Sequence, residues 1–149
     1  MYFQCKIKAD KMSAESGGIK QTSEVYLVDA LTFAEAETRV LTEQAPYVSG
    51  SIEVDTCKKV NVSGLIDDDN PQSDKWYKVK VMSVNFDEEK QVEKKVANYF
   101  YVHAATLMDA LKLLHEQELR HWQTDYDIVS ATDTPIMDVY KFTANEKKN

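Results

Sequence analysis

Lysines alternate with aromatic residues at two places in this chain, and no other pattern in it comes nearer to functional chemistry. Tyr2, Gln4, Lys6 and Lys8 take every second position at the start, and Trp76, Lys78 and Lys80 do so later. In a strand, alternate residues share one face, so each stretch sets a ring beside ammonium groups. Lys20, Lys94 and Lys95 fall on the partner strands. Such a face suits single-stranded nucleic acid, whose bases stack on rings while ammonium groups meet phosphates. The expected contact face is Tyr2, Lys6, Lys8, Trp76, Lys78, Lys80 and Lys94. A plainer reading competes with it. Lysines on an exposed strand discourage edge pairing and aid solubility, and Trp76 and Tyr2 would pack between repeats. The net charge of −7 also repels nucleic acid at long range.

Catalytic and metal chemistry find little support. His103 ends a strand, and His115 and His121, six residues apart, do not share a helical face as paired ligands would. Cys5 sits at an inward strand position, where a thiol is inert. Cys57 lies at an irregular spot without a nearby base. No Gly-x-Ser-x-Gly, Cys-x-x-Cys or His-Glu-x-x-His occurs, and four glycines leave no phosphate-cradling loop. The run Asp67-Asp68-Asp69 lacks the alternating ligands and distal Glu of a calcium loop. Asn61-Val62-Ser63 matches a glycosylation triplet but has no secretory context. No catalytic residue, cofactor or metal is therefore expected.

These side chains have to be positioned by a fold unit that occurs twice. Shifted by 74 residues, Tyr2–Ile7 falls on Trp76–Val81, Tyr26–Ala36 on Phe100–Ala110, and Ile52–Val54 on Tyr126–Ile128. Few matches are identities; the alternation of polar and apolar positions is what repeats. In each copy, two alternating stretches joined by a polar turn read as a hairpin. Thr32-x-x-Glu35 and Thr106-x-x-Asp109 then read as helix N-caps. The first helix is expected over about 33–45, with Phe33, Ala36, Val40 and Leu41 inward and Pro46 as its stop. The second runs from Leu107 to about Arg120, with Leu107, Ala110, Leu111 and Leu114 inward. It carries a wider apolar stripe through Met108 and Leu113. An extended stretch follows each helix, and its alternation slips near Cys57, which reads as a bulge or a short loop.

The expected fold class is α+β: a tandem duplication of a β-β-α-β(-β) unit, with antiparallel sheets and one helix per repeat on one face. The first repeat spans 1–66, an acidic linker 67–74, the second repeat 75–142 and a frayed tail 143–149, with the repeats packed as one domain. The halves differ in charge, −6 for 1–74 and −1 for 75–149. Hydrophobic content of 43% and charged content of 29% are those of a globular protein, and no apolar run approaches the ~20 residues of a membrane span. The first residues read as a strand rather than a secretory leader, so a cytoplasmic protein with free thiols is expected.

The stretches Tyr2-Phe3-Gln4-Cys5-Lys6, Tyr26–Glu37, Lys75–Lys80 and Thr134-Pro135-Ile136-Met137-Asp138-Val139-Tyr140 resemble a domain-of-unknown-function family of Bacteroidetes bacteria and their phages. The resemblance covers nearly the whole chain, and Pro-Ile-Met-Asp-Val-Tyr is its most specific block. It implies a bacterial or phage source and a fold unit, and no activity. The expected function is thus a non-catalytic binding module, either a nucleic-acid-binding accessory or a protein-interaction module. The second would be an adaptor, a homo-oligomer subunit or an acidic inhibitor of a basic target. An enzyme using His103 or Cys57 ranks last.

Overall fold

The computed structural model describes residues 1–142; the tail expected at 143–149 lies outside the described residues. Ten main elements follow in order: β1 (Tyr2–Met12), β2 (Ile19–Asp29), α1 (Phe33–Gln44), β3 (Ile52–Val60), β4 (Gly64–Asp67), β5 (Lys75–Asp87), β6 (Val92–Ala104), α2 (Leu107–Gln117), β7 (Asp125–Asp133) and β8 (Ile136–Tyr140). A short 3-10 turn follows each helix.

The fold is α+β, with two four-stranded sheets and two helices. One sheet has the order β3-β1-β2-β8 and the other β4-β6-β5-β7. β1, β2 and β3 pair antiparallel, as do β5, β6 and β7. The fourth strands depart from the expected antiparallel pattern. β8 runs parallel to β2 and β4 parallel to β6. Each fourth strand also lies in the sheet of the other half. Chain length explains the exchange. β3 and β4 are separated by residues 61–63 alone, a reach of about 14 Å at full extension. A place parallel to β2 in the home sheet would require passing two strands and returning along the length of β3. Such crossovers take a dozen or more residues. Residues 134–135, between β7 and β8, are under the same constraint.

Two compact units result, Met1–Asn61 with the chain from Pro135, and Val62–Thr134. They cut across the expected boundaries at 66 and 75. Gly64–Asp67 belongs with the second unit, and part of the expected linker is structured: Ser73 is buried and its hydroxyl donates to Asp68 Oδ2 at 2.7 Å.

The two units share geometry position by position, which suggests a twofold repeat. Tyr26 lies opposite Asp138 and Val28 opposite Tyr140; 74 places away along the chain, Phe100 lies opposite Gly64 and Val102 opposite Ile66. The slip near Cys57 is a bulge. Lys6 pairs with Thr56 and Ile7 with Val54, leaving Asp55 over. In β7 Val129 is left over in the same way.

Each helix covers one sheet face. In the first unit the core is Phe3, Cys5, Ile7 and Ala9 of β1, Tyr26 and Val28 of β2, and Ala36 and Val40 of α1. In the second it is Tyr77, Val79, Val81, Phe100, Val102, Ala110, Leu114, Leu119 and Ile66, with Trp122 and Tyr126 packed against it. Thr32 caps α1, accepting from Glu35 N at 3.1 Å, and Glu35 reaches back to the amide of Leu31. Thr106 caps α2 through Asp109 N. The inward stripe of α1 is Ala36, Val40 and Gln44. Phe33, expected inward, is half exposed, its ring in an edge contact with Phe3 at 4.8 Å. In α2, Ala110 and Leu114 are buried, while Leu107 and Met108 are exposed. No described helix is long and apolar enough to cross a membrane.

Candidate functional site

Gln44 is the unexpected member of the α1 stripe, a polar side chain only 4% exposed at the end of the helix. Burying an amide demands partners, and the first unit supplies them. Gln44 Oε1 accepts from Lys11 Nζ at 2.8 Å, and its Nε2 donates to Tyr140 Oη at 2.5 Å. Lys11 also forms an ion pair with Glu24 at 2.7 Å. Glu24 accepts further bonds from the Tyr26 hydroxyl at 2.5 Å and the Thr22 hydroxyl at 2.9 Å. The rings of Tyr26 and Tyr140 stack at 5.4 Å. Among the described residues no buried side-chain polar atom lacks a partner, so the network is closed.

The fold explains how residues so far apart in sequence meet. Glu24 and Tyr26 lie two apart on β2 and share the face that α1 covers. Lys11 comes from the far end of β1. Pro46, in the turn after α1, has no N–H to continue the helix, so Gln44 sits in its last turn. β8, arriving from the far end of the chain, lays Tyr140 against Tyr26.

Beside this network opens a cleft of about 360 Å³, lined by Lys11, Tyr26, Glu43, Gln44, Tyr47, Met137, Asp138 and Tyr140. Its titrating groups are displaced. Burial, with the Glu24 carboxylate alongside, pushes the Tyr26 hydroxyl far up. Burial likewise pushes Tyr140 up to about 12, against the hydrogen bond from Gln44. For Glu24, burial acts upward, but the bonds from Lys11, Tyr26 and Thr22 outweigh it and hold the carboxyl below its ordinary value. Both tyrosines therefore stay neutral and Glu24 stays charged near neutrality. The cleft has fixed donors, rings and carboxylates, and no activated nucleophile.

The second unit builds the same place without the polar network. At the positions of Tyr26, Tyr140, Glu24 and Lys11 it has Phe100, Ile66, Asn98 and Asn85. Trp122 packs on Phe100 at 6.0 Å and Tyr126 on Trp122 at 5.8 Å. A more apolar filling serves this fold, with Glu118, at the place of Gln44, accepting from the Trp122 indole at 3.0 Å and Asn98 donating to Val81 O at 3.2 Å. The Lys11–Glu24 ion pair and the stacked tyrosines of the first unit are therefore not a requirement of packing.

The lysine–aromatic face is placed as follows. Tyr2, Lys6 and Lys8 lie half exposed on β1, on the side away from α1, and Lys8 approaches Asp55 at 3.8 Å. Lys78 and Lys80 share a face of β5, their ammonium groups 5.1 and 5.9 Å from the Tyr99 ring. Lys94 is exposed on β6. Trp76 corrects the expectation of an open aromatic: it is 3% exposed and stacks on His103 at 4.7 Å. Leu27 and Tyr101, on the same helix-free faces, are fully buried. With His103 stacked on it, the Trp76 ring offers no open face to a base.

One group of metal-ligating type gathers among the described residues: Asp67, Asp68 and His103, with donor atoms within 4.8 Å of one another. Two carboxylates and an imidazole match a first-row divalent cation in type. Their atoms are already engaged, however. Asp67 Oδ1 meets His103 Nδ1 at 3.0 Å and accepts from Asp69 N, while Asp68 accepts from Asn70 N and the Ser73 hydroxyl. The arrangement is a hydrogen-bonded turn closed by the contact between Asp67 and the His103 ring.

No curated protein matches the chain. A family model described as a domain of unknown function (DUF4494) matches residues 1–142, so both units, the exchanged strands and the cleft all fall inside it, and the chain belongs to the DUF4494 family.

Proposed function

We propose that this protein is a non-catalytic binding module, and that the cleft of the first unit receives a basic side chain of a partner protein. The observation that carries the reading is the contrast between units. The second fills the same place with Phe100, Ile66 and Trp122, while the first keeps a charged, tyrosine-lined network that its core does not need. Taking the units as copies of one ancestral β-β-α-β-β module, the polar version is the specialised one.

The chemistry of the rim selects the ligand. Asp138 and Glu43, the latter sharing one oxygen with Arg39 at 3.3 Å, supply carboxylates, and Tyr47 exposes a ring at the mouth. Lys11 is already held by Glu24 and Gln44, so it adds little pull on an anion. A guanidinium or ammonium group would find both charge and aromatic faces there. The net charge of −7 over the whole chain favours the approach of a basic partner. This favours the protein-interaction reading. The nucleic-acid reading loses its main aromatic with Trp76 buried. An intracellular role in a Bacteroidetes bacterium or its phage fits the resemblance.

The test is a titration with a short Lys/Arg peptide, followed by NMR of the tyrosine rings. Binding at low salt should shift Tyr47 and Tyr140 and weaken as salt rises. Asp138→Asn combined with Glu43→Gln should lower affinity about tenfold, the expected size for two rim charges. A double variant that binds equally well, or an oligonucleotide that binds through Lys78 and Lys80 while the peptide does not, overturns the reading.

A further inference from the structure

The chain contains two cysteines, and the fold sets them face to face. Cys5 of β1 and Cys57 of β3 are direct partners in the antiparallel register, with their sulfurs 3.2 Å apart. Directly opposed residues in such a pair have Cα atoms about 4.5–5.5 Å apart, inside the ~4.4–6.8 Å range that a disulfide spans. The bulge at Asp55 lies two residues from Cys57 and gives β3 local freedom to twist. Packing alone does not call for sulfur here, because the second unit has Val79 opposite Ala131 at the corresponding place.

We propose that Cys5 and Cys57 form a redox modification site, which an oxidised thiol of the glutathione class converts into an intrachain disulfide tying β3 to β1. Cys57 is the partly exposed member and Cys5 the buried one, which sets the order of events. Cys57 loses its proton to solvent, and its thiolate attacks glutathione disulfide, breaking that S–S bond and releasing one glutathione thiolate. Cys5 then loses its proton and attacks Cys57 Sγ, forming the Cys5–Cys57 bond and releasing the second glutathione. Two protein thiols are oxidised and one glutathione disulfide is reduced to two thiols. Burial raises both thiols above their ordinary range, so the exchange is slow at neutral pH and accelerates in mild alkali. The closed loop holds β2 and α1, hence Glu24, Tyr26, Gln44 and Tyr47 of the cleft. Oxidation would stiffen the unit that carries it.

The experiment treats the full chain with excess glutathione disulfide at mildly alkaline pH, blocks remaining thiols with an alkylating agent and measures intact mass. The expected product is a monomer that has lost two hydrogens, with no alkylation and no glutathione adduct. Its digest should link the peptides of Cys5 and Cys57. Its melting midpoint should rise by about 10 °C, reversibly with dithiothreitol. Cys57→Ala should fold, since Ala131 occupies the matching position, and should lose both the mass change and the rise. A glutathione adduct that persists on the natural protein, a disulfide-linked dimer, or two thiols that remain alkylatable in the folded state would overturn the proposal.

Discussion

Ile136→Asp unfolds the first unit and leaves the second protected. Ile136 is 4% exposed and pairs with Val25 of β2, more than a hundred residues upstream. An unpaired carboxylate there costs about 4 kcal/mol or more, a large share of the stability of a unit this size. Amide hydrogen exchange read strand by strand shows where the damage falls. Protection should drop in β1, β2 and α1 and persist in β5, β6 and α2. Loss centred on β6 and β7, the strands nearest in sequence, would mean that β8 belongs to the sheet of its own half. The strand exchange would then be wrong.

The second large effect is expected at Glu24. Glu24→Ala removes the acceptor shared by Lys11, Tyr26 and Thr22 and leaves an ammonium group and a phenol without their partner. Breaking a partly buried charged network from one side costs about 3 kcal/mol, read as a lower urea midpoint for the first unit. The pH dependence follows from the direction of the shift. The folded carboxyl titrates below its unfolded value of about 4.3, so its contribution is full above that value and is lost as pH falls through the lowered folded one. The natural protein should therefore lose stability as pH falls below about 4.3 and through the lowered folded value. Glu24→Gln should lose visibly less over the same range. An identical acid limb in the two proteins would show that Glu24 is not held charged by this network.

Much of the fold could be read along the chain because its signals are local. The period-two alternation of β1 and β5, the threonine caps at Thr32 and Thr106 and the slip before Cys57 all report on neighbours in sequence. The exchange of β4 and β8 could not be read this way. A strand's partner is set by connection length and sheet order together, and the brevity of 61–63 acquires meaning only once β3 is known to be an edge strand. At the proposed contact face the parity was right, since Trp76 does share a face with Lys78 and Lys80. Alternation tells which side a residue is on, not whether that side is open, and Trp76 is covered.

The cleft escaped sequence reading for a different reason. Lys11, Glu24, Tyr26, Gln44 and Tyr140 span most of the chain, and no motif links them. A signal was nevertheless present. Position by position, the repeats differ in polarity at helix-facing strand sites, where Glu24 and Tyr26 stand against Asn98 and Phe100 and Tyr140 against Ile66. An ion pair and two tyrosines at inward positions of the first copy, against Asn85, Asn98, Phe100 and Ile66 in the second, mark the place where the copies diverge.

That divergence is tested most directly by grafting the second unit's residues onto the first and measuring stability and peptide binding on the same sample. The graft is Lys11→Asn, Glu24→Asn, Tyr26→Phe, Gln44→Glu, Val48→Trp and Tyr140→Ile. The graft exchanges the ionic network for the set the second unit packs at the same place, with Glu at position 44 meeting the new indole as Glu118 meets Trp122. Removing a buried ion pair whole is often neutral or stabilising. The grafted chain should therefore fold with stability within about 1 kcal/mol of the natural one and show no saturable binding of the Lys/Arg peptide. A graft that folds and binds the peptide as tightly as the natural protein would contradict the assignment of the cleft as the binding site.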